Sequence, residues 1–214
     1  MNILFVLAHP DDEAYGPGGT IAKLATQHTV LLHVLCNGAR PGSEHVSEPR
    51  LAALKQSCQL LGADLIVGDV PDLGLEYRST TQSIERTISH FKPTVVYTNN
   101  ISDINTDHRV TAESALIACR PKPGSCVQEL YFSEMPSSTT WTFHQLHPIF
   151  EPSTFVDISN CIQTKRAALE LYDTEIYDTP DARSVMSMYS LASYRGHSVG
   201  VRYAEAFKQV FALR

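Results

Sequence analysis

One imidazole and three carboxylates fall within five consecutive residues, His9-Pro10-Asp11-Asp12-Glu13, directly after an apolar run. Adjacent carboxylates repel one another, so the cluster requires a cation or hydrogen-bond donors to offset its charge. Taken alone it reads equally well as a helix cap beside a backbone-bonded histidine. A second segment, Ser102-Asp103-Ile104-Asn105-Thr106-Asp107-His108-Arg109, again joins histidine to aspartates after an apolar stretch. A hydrolytic metal site takes three ligands from His, Asp, Glu or Cys and leaves a fourth position for water. Two such loops at one sheet edge are able to supply that set, and residue chemistry leaves open which carboxylate binds.

The elements that must position these loops follow from periodicity. Residues 2–8 and 29–36 are continuous apolar runs, the pattern of strands buried on both faces of a parallel sheet. Residues 64–67 and 93–98 read as further strands, and 129–134 and 154–157 as shorter ones. Helical spacing marks 20–25, 48–61 (Leu51, Leu54, Cys58 and Leu61, stopped by Gly62), 82–91 and 108–119. Further helices are expected from Ser159, as a cap, to Tyr172, within 181–194, and within 203–211. Alternation of this kind predicts an α/β fold: a Rossmann-like, mostly parallel sheet with helices on both faces, forming a single domain over residues 1–214. Ligands in open α/β sheets sit beyond the carboxyl ends of the strands. That rule selects the loops after residues 8, 36 and 98. The Pro- and Ser-rich stretch 120–154 reads as an excursion over the site.

Composition narrows the function classes. The 214 residues are 43% hydrophobic and 19% charged, a globular profile, and the net charge of -6 argues against a nucleic-acid partner. The five cysteines have neither zinc-knuckle nor redox spacing and read as reduced thiols. The apolar start is cut short by His9, and no run reaches the length of a membrane span, so a cytoplasmic protein is expected.

The string Ala-His-Pro-Asp-Asp-Glu at residues 8–13, with Asp107-His108 opening a later helix, closely resembles the LmbE-like (PIG-L) N-deacetylases. Gly18-Gly19-Thr20, Arg50 and Ala204-Glu205-Ala206-Phe207 extend the resemblance over nearly the whole chain. It implies metal ligands at His9, Asp12 and His108, zinc as the ion with other divalent metals as competitors, and Asp11 as general base. It also implies substrate contact by Arg50, a small N-acetylated substrate, most naturally an amino sugar or its conjugate, and assembly into homo-oligomers. Zinc lowers the pKa of bound water to about 7, so an adjacent carboxylate is able to take the proton and return it to the departing amine. The chain departs from the family at Asn105, where many members carry histidine. Asn105 is then expected to act as a neutral donor to the oxyanion, and Asp107 to hold a ligand imidazole. His197 is expected to contact substrate and to replace the missing acid.

The other histidines carry plainer expectations. His33 belongs to the core, His28, His45 and His90 to the surface, and His144 and His147 have ligand-like spacing without a helical pattern. Glu13 is expected to brace its loop, Arg50, Asn99 and Asn100 to offer polar contacts to a sugar, and Ser137, Ser138 and Trp141 to shape the pocket. Two other classes compete. Gly16, Gly18 and Gly19 follow a strand but lack the spacing of a dinucleotide fingerprint, and Cys36-Asn37-Gly38 stands where its acidic ribose partner would be. A non-catalytic metal- or sugar-binding protein on the enzyme fold is the second, kept open by Asn105.

Overall fold

Strand β1 (Asn2–Leu7) divides its side chains between two cores: Ile3, Phe5 and Leu7 face one way, Leu4 and Val6 the other. The computed structural model describes residues 1–40, 42–143 and 148–213. In chain order the elements after β1 are α1 (Asp12–Tyr15), α2 (Gly18–Ala25), β2 (Thr29–Cys36), α3 (Ser47–Leu61), β3 (Asp64–Val70) and α4 (Tyr77–Phe91). There follow β4 (Val95–Thr98), α5 (Thr106–Ala118), β5 (Glu129–Ser133), β6 (Thr154–Asp157), α6 (Ile162–Leu169), α7 (Val185–His197) and β7 (Ala204–Ala212).

The seven strands form one sheet in the order β3-β2-β1-β4-β5-β7-β6. The first five are parallel, and β7 runs antiparallel to both β5 and β6. Residues from α2, α3, α6 and α7 fill the larger core with Phe5, Tyr97, Tyr131 and Phe207, while α4 and α5 cover the other face with Ile84 and Ala115. Phe5, Tyr97 and Tyr131 stack across β1, β4 and β5 with centroids 4.7 and 5.0 Å apart. The expected mostly parallel α/β sheet with helices on both faces is therefore the architecture.

Three expectations are corrected. The stretch 203–211, expected as a helix, is strand β7; its Ala, Glu, Lys and Gln favour helix locally, but its backbone is paired on both sides. The helix expected from Ser159 to Tyr172 covers only Ile162–Leu169, because Ser159 bonds to Asp157 Oδ1 at 2.6 Å and caps nothing. A one-turn helix, α1, begins at Asp12, where a loop was expected.

Strand β7 also reaches back to the start of the chain. Glu205 accepts hydrogen bonds from Gly19 N (2.8 Å) and Thr20 N (2.7 Å) in the first turn of α2, and is paired with the buried Lys165 Nζ at 2.5 Å. Gly19 permits the approach of Ile158: a Cβ there would lie 2.8 Å from its side chain. The glycines of this turn thus serve close packing.

Candidate metal-dependent active site

The carboxyl ends of β1 and β4 bring the two polar loops together. His9, Asp12 and His108 are all buried, and one ligand atom from each lies within 4.8 Å of the others. His9 Nδ1 stands 3.8 Å from Asp12 Oδ2, and His108 Nε2 stands 3.2 Å from Asp12 Oδ1. The second nitrogen of each ring is held from behind. His9 Nε2 meets Asp107 Oδ2 at 3.1 Å, and His108 Nδ1 meets Asp103 Oδ2 at 2.7 Å. Carboxylates in these positions fix the ring orientation and aim the free nitrogen at one point. Two imidazole nitrogens and a carboxylate converging there fit a divalent transition metal of zinc type.

Asp12 is prepared in the same way. Its Oδ2 accepts from Ala8 N, His9 N and Asn99 Nδ2 at 3.1, 3.0 and 3.0 Å. Burial by itself would raise its carboxyl, but His108, His9 and Asn99 outweigh burial and hold it well below the ordinary range. Burial likewise opposes charge on His108, yet Asp12 and Asp103 overcome it and raise the imidazole to about 10.

Asp11 sits beside this set with φ 117 and ψ -26, a conformation that side chains other than glycine rarely adopt. Glu13 secures it: one Glu13 oxygen accepts from Asp11 N at 3.1 Å, and the other accepts at 2.6 Å from both Ser57 Oγ and Tyr172 OH. The Asp11 carboxylate accepts from Arg183 Nη2 at 2.5 Å through Oδ2. Burial raises its pKa, with Arg183 and Arg50 acting against that rise.

An open cavity of about 390 Å³ exposes these groups, with Met135, Pro136, Ser137 and Ser138 from the excursion after β5 forming part of its wall. Thr139 ties that wall to the metal set, accepting from Met135 N (2.9 Å) and donating to Asp103 Oδ1 (2.6 Å). Leu73, at φ 65, lies on the rim and donates its N–H to Asp107 Oδ2 at 2.6 Å.

The expected site residues are placed as follows. Asn105 lines the cavity and caps α5, its Oδ1 accepting from Asp107 N and His108 N at 2.9 and 3.4 Å. Arg50 also lines the cavity, but its side chain is 3% exposed and braces the first loop, donating to Pro10 O (3.1 Å), Gly38 O (2.9 Å) and Asp72 Oδ2 (2.6 Å). His197 is exposed at the end of α7, where its Nε2 lies 3.5 Å from Ser193 Oγ, and it is not among the residues lining the cavity. Asn99 and Asn100 are buried behind the site rather than presented to a ligand. Trp141 is exposed and outside the cavity wall, whereas Ser137 and Ser138 belong to it. His33 is buried against Thr87. His144 and His147 lie outside the described residues.

Sequence reasoning missed Asp103, Arg183, Glu175, Arg40 and Asp72. Asp103 stood inside the second loop and was open to discovery by its spacing from His108; the others lie in segments without periodicity. All five cysteines are free. No helix among the described residues is long and apolar enough to cross a membrane.

Residues 4–119 match a family profile described as PIG-L, GlcNAc-PI de-N-acetylase. A probable N-acetylglucosaminyl-phosphatidylinositol de-N-acetylase of Schizosaccharomyces pombe is 30% identical over 57% of this chain and 53% of its own, so the chain spans about half the length of that relative. Diacetylchitobiose deacetylase of Thermococcus kodakarensis is 26% identical over 97% of this chain and 82% of its own. Among solved structures, the 4-carboxy-2-hydroxymuconate hydratase GalB of Pseudomonas putida KT2440 shares the fold with a TM-score of 0.81 and 23% identity, covering 100% of this chain and 97% of that one.

Proposed function

The chain belongs to the GlcNAc-PI de-N-acetylase (PIG-L) family, and from that membership we propose that it is a metal-dependent hydrolase removing the acetyl group from an N-acetylated amino sugar or its conjugate. The observation that carries this reading is the buried set His9, Asp12 and His108 with Asp11 beside it on one open cavity. We assign zinc to the set from its two imidazoles and one carboxylate. When bound, such an ion supplies Lewis acidity and makes water acidic enough to ionise near neutral pH.

The chain's own residues do the rest. Arg183 donates to Oδ2 of Asp11, and we take Oδ1 as the atom that carries the proton. Asp11 takes a proton from water at that atom and delivers it to the nitrogen of the departing amine. Asn105, whose Oδ1 is engaged in capping, offers its Nδ2 hydrogens to the carbonyl oxygen as negative charge develops there. Asp107 and Asp103 keep both imidazoles aimed during turnover.

A second reading, addition of water to the double bond of an unsaturated carboxylate, is supported by the whole-chain likeness to GalB and by Asn105, since no amine then needs a second acid. Free-amine release from a panel of N-acetylated amino sugars by metal-loaded protein tests the first reading. Metal-dependent release supports it. No release by any member, with full metal content, overturns it; loss of enoate absorbance would then favour the hydratase, and tight metal binding without either reaction a binding protein.

A further inference from the structure

We propose that the substrate of this cavity carries, besides its acyl-amine, a carboxylate or phosphate that docks on Arg40 and Arg183. The proposal rests on the hydrolase reading for the choice of probe, not for the site itself. Three guanidinium groups line the cavity: Arg40 from the loop after β2, Arg50 from α3 and Arg183 from the segment before α7. All three gather on one fully buried carboxylate. Glu175 receives Arg40 Nη2 at 2.7 Å, Arg183 Nη2 at 3.2 Å and Arg50 Nε at 3.4 Å. Asp72 is the second counter-ion, 2.6 Å from Arg50 Nη1 and 3.9 Å from Arg40 Nε.

Three cations therefore face two carboxylates, and the third acid within reach is Asp11.

The three arginines differ in what they leave available. Arg50 is 3% exposed and committed to protein carbonyls, whereas the side chains of Arg40 and Arg183 are 40% and 24% exposed. Arg40 donates to Glu175 through Nη2 and Arg183 donates to Asp11 through Nη2, with the Tyr15 phenol as a further side-chain partner of Arg183. The remaining N–H groups of each planar fork suit a carboxylate or phosphate. The forks are also held in place. The Arg183 guanidinium lies 4.8 Å from the Tyr15 ring centroid, and Tyr15 OH donates to the Glu175 and Arg183 carbonyls at 2.7 and 2.8 Å. The competing explanation is that these arginines serve only to keep Asp11 ionised, in which case charge on the substrate makes no difference.

Matched probes decide between the two: N-acetylglucosamine, its 6-phosphate, and N-acetylmuramic acid, which adds a carboxylate. Turnover by metal-loaded protein and calorimetric binding to metal-free protein are measured for each. An anionic probe is expected to exceed the neutral one by about tenfold or more in kcat/KM, chiefly through KM, and by a similar factor in affinity. Arg40→Gln and Arg40→Lys are expected to shrink that ratio, Lys the less. Which anionic probe leads identifies phosphate or carboxylate as the natural group. Binding preference for an anionic probe without amine release supports the anion seat and removes the deacetylase reading. Amine release with equal affinity for all three probes, or no binding by any, overturns the proposal.

Discussion

His9 Nε2 lies 3.1 Å from Asp107 Oδ2, and the same carboxylate oxygen receives the N–H of Leu73 on the cavity rim at 2.6 Å. One side chain thus sets both the orientation of the His9 imidazole and the position of the loop above it. Asp107→Ala is expected to lower metal affinity by about 10- to 100-fold, and Asp103→Ala to do the same through His108. Competition with a chromogenic chelator measures this directly; wild-type affinity in both variants would remove the two aspartates from the site.

Metal uptake should release a proton. The metal-free site holds His108 with its imidazole raised to about 10, so at neutral pH an incoming ion must displace that proton. Apparent affinity is therefore expected to rise with pH between 6 and 9, by up to about tenfold per unit. Titration in weak buffer with an indicator dye reads the released proton, and an affinity flat across that range would contradict the assignment.

Asp11→Asn separates chemistry from binding. Asparagine keeps the size of the side chain but cannot accept a proton, so turnover is expected to fall about 10²- to 10⁴-fold while metal content stays at one ion per chain. Retained turnover would exclude Asp11 as the base.

Asn105 has two jobs, and a pair of variants divides them. Asn105→Ser keeps an oxygen able to cap α5 but loses the amide donor; it is expected to melt near wild type and turn over about 10²-fold more slowly. Asn105→Ala loses the cap as well and should lose about 1 kcal/mol of stability. Wild-type turnover in the serine variant would end the oxyanion role.

His33 makes a prediction remote from the site. Burial in β2, with help from the Arg86 charge, lowers its imidazole to about 4. The unfolded chain binds the proton near pH 6.5, so stability is complete above that value and is lost as pH falls towards 4, by about 3 kcal/mol in all. Denaturant melts of wild type and His33→Gln across pH 4–7 should show a shallower acid loss in the variant.

The clustering of His9, Asp12 and His108 was legible because each sits in a short polar segment closing an apolar run, and strand ends converge in a parallel sheet. Strand β7 was not, since Ala204, Glu205, Lys208 and Gln209 are helix formers whose conformation is decided by partners on β5 and β6. The long-range braces were equally hidden. Arg183 and Glu175 belong to a stretch with no periodic signal, and their meaning lies in meeting Arg40, Arg50 and Asp11. His197 drew attention by residue type alone, and it lies at the exposed end of α7, outside the cavity lining.

The carboxylate of Glu205 reaches Gly19 N across 186 positions of sequence. Translation lays down the ligand-bearing loop early and its brace late. Strand β6 must likewise wait for β7, which separates it from the rest of the sheet. A nascent chain exposing His9 and Asp12 thus lacks the support of α2 until residue 205 has left the ribosome. Consolidation of the loop that carries His9 and Asp12 is then a late event in the making of the chain.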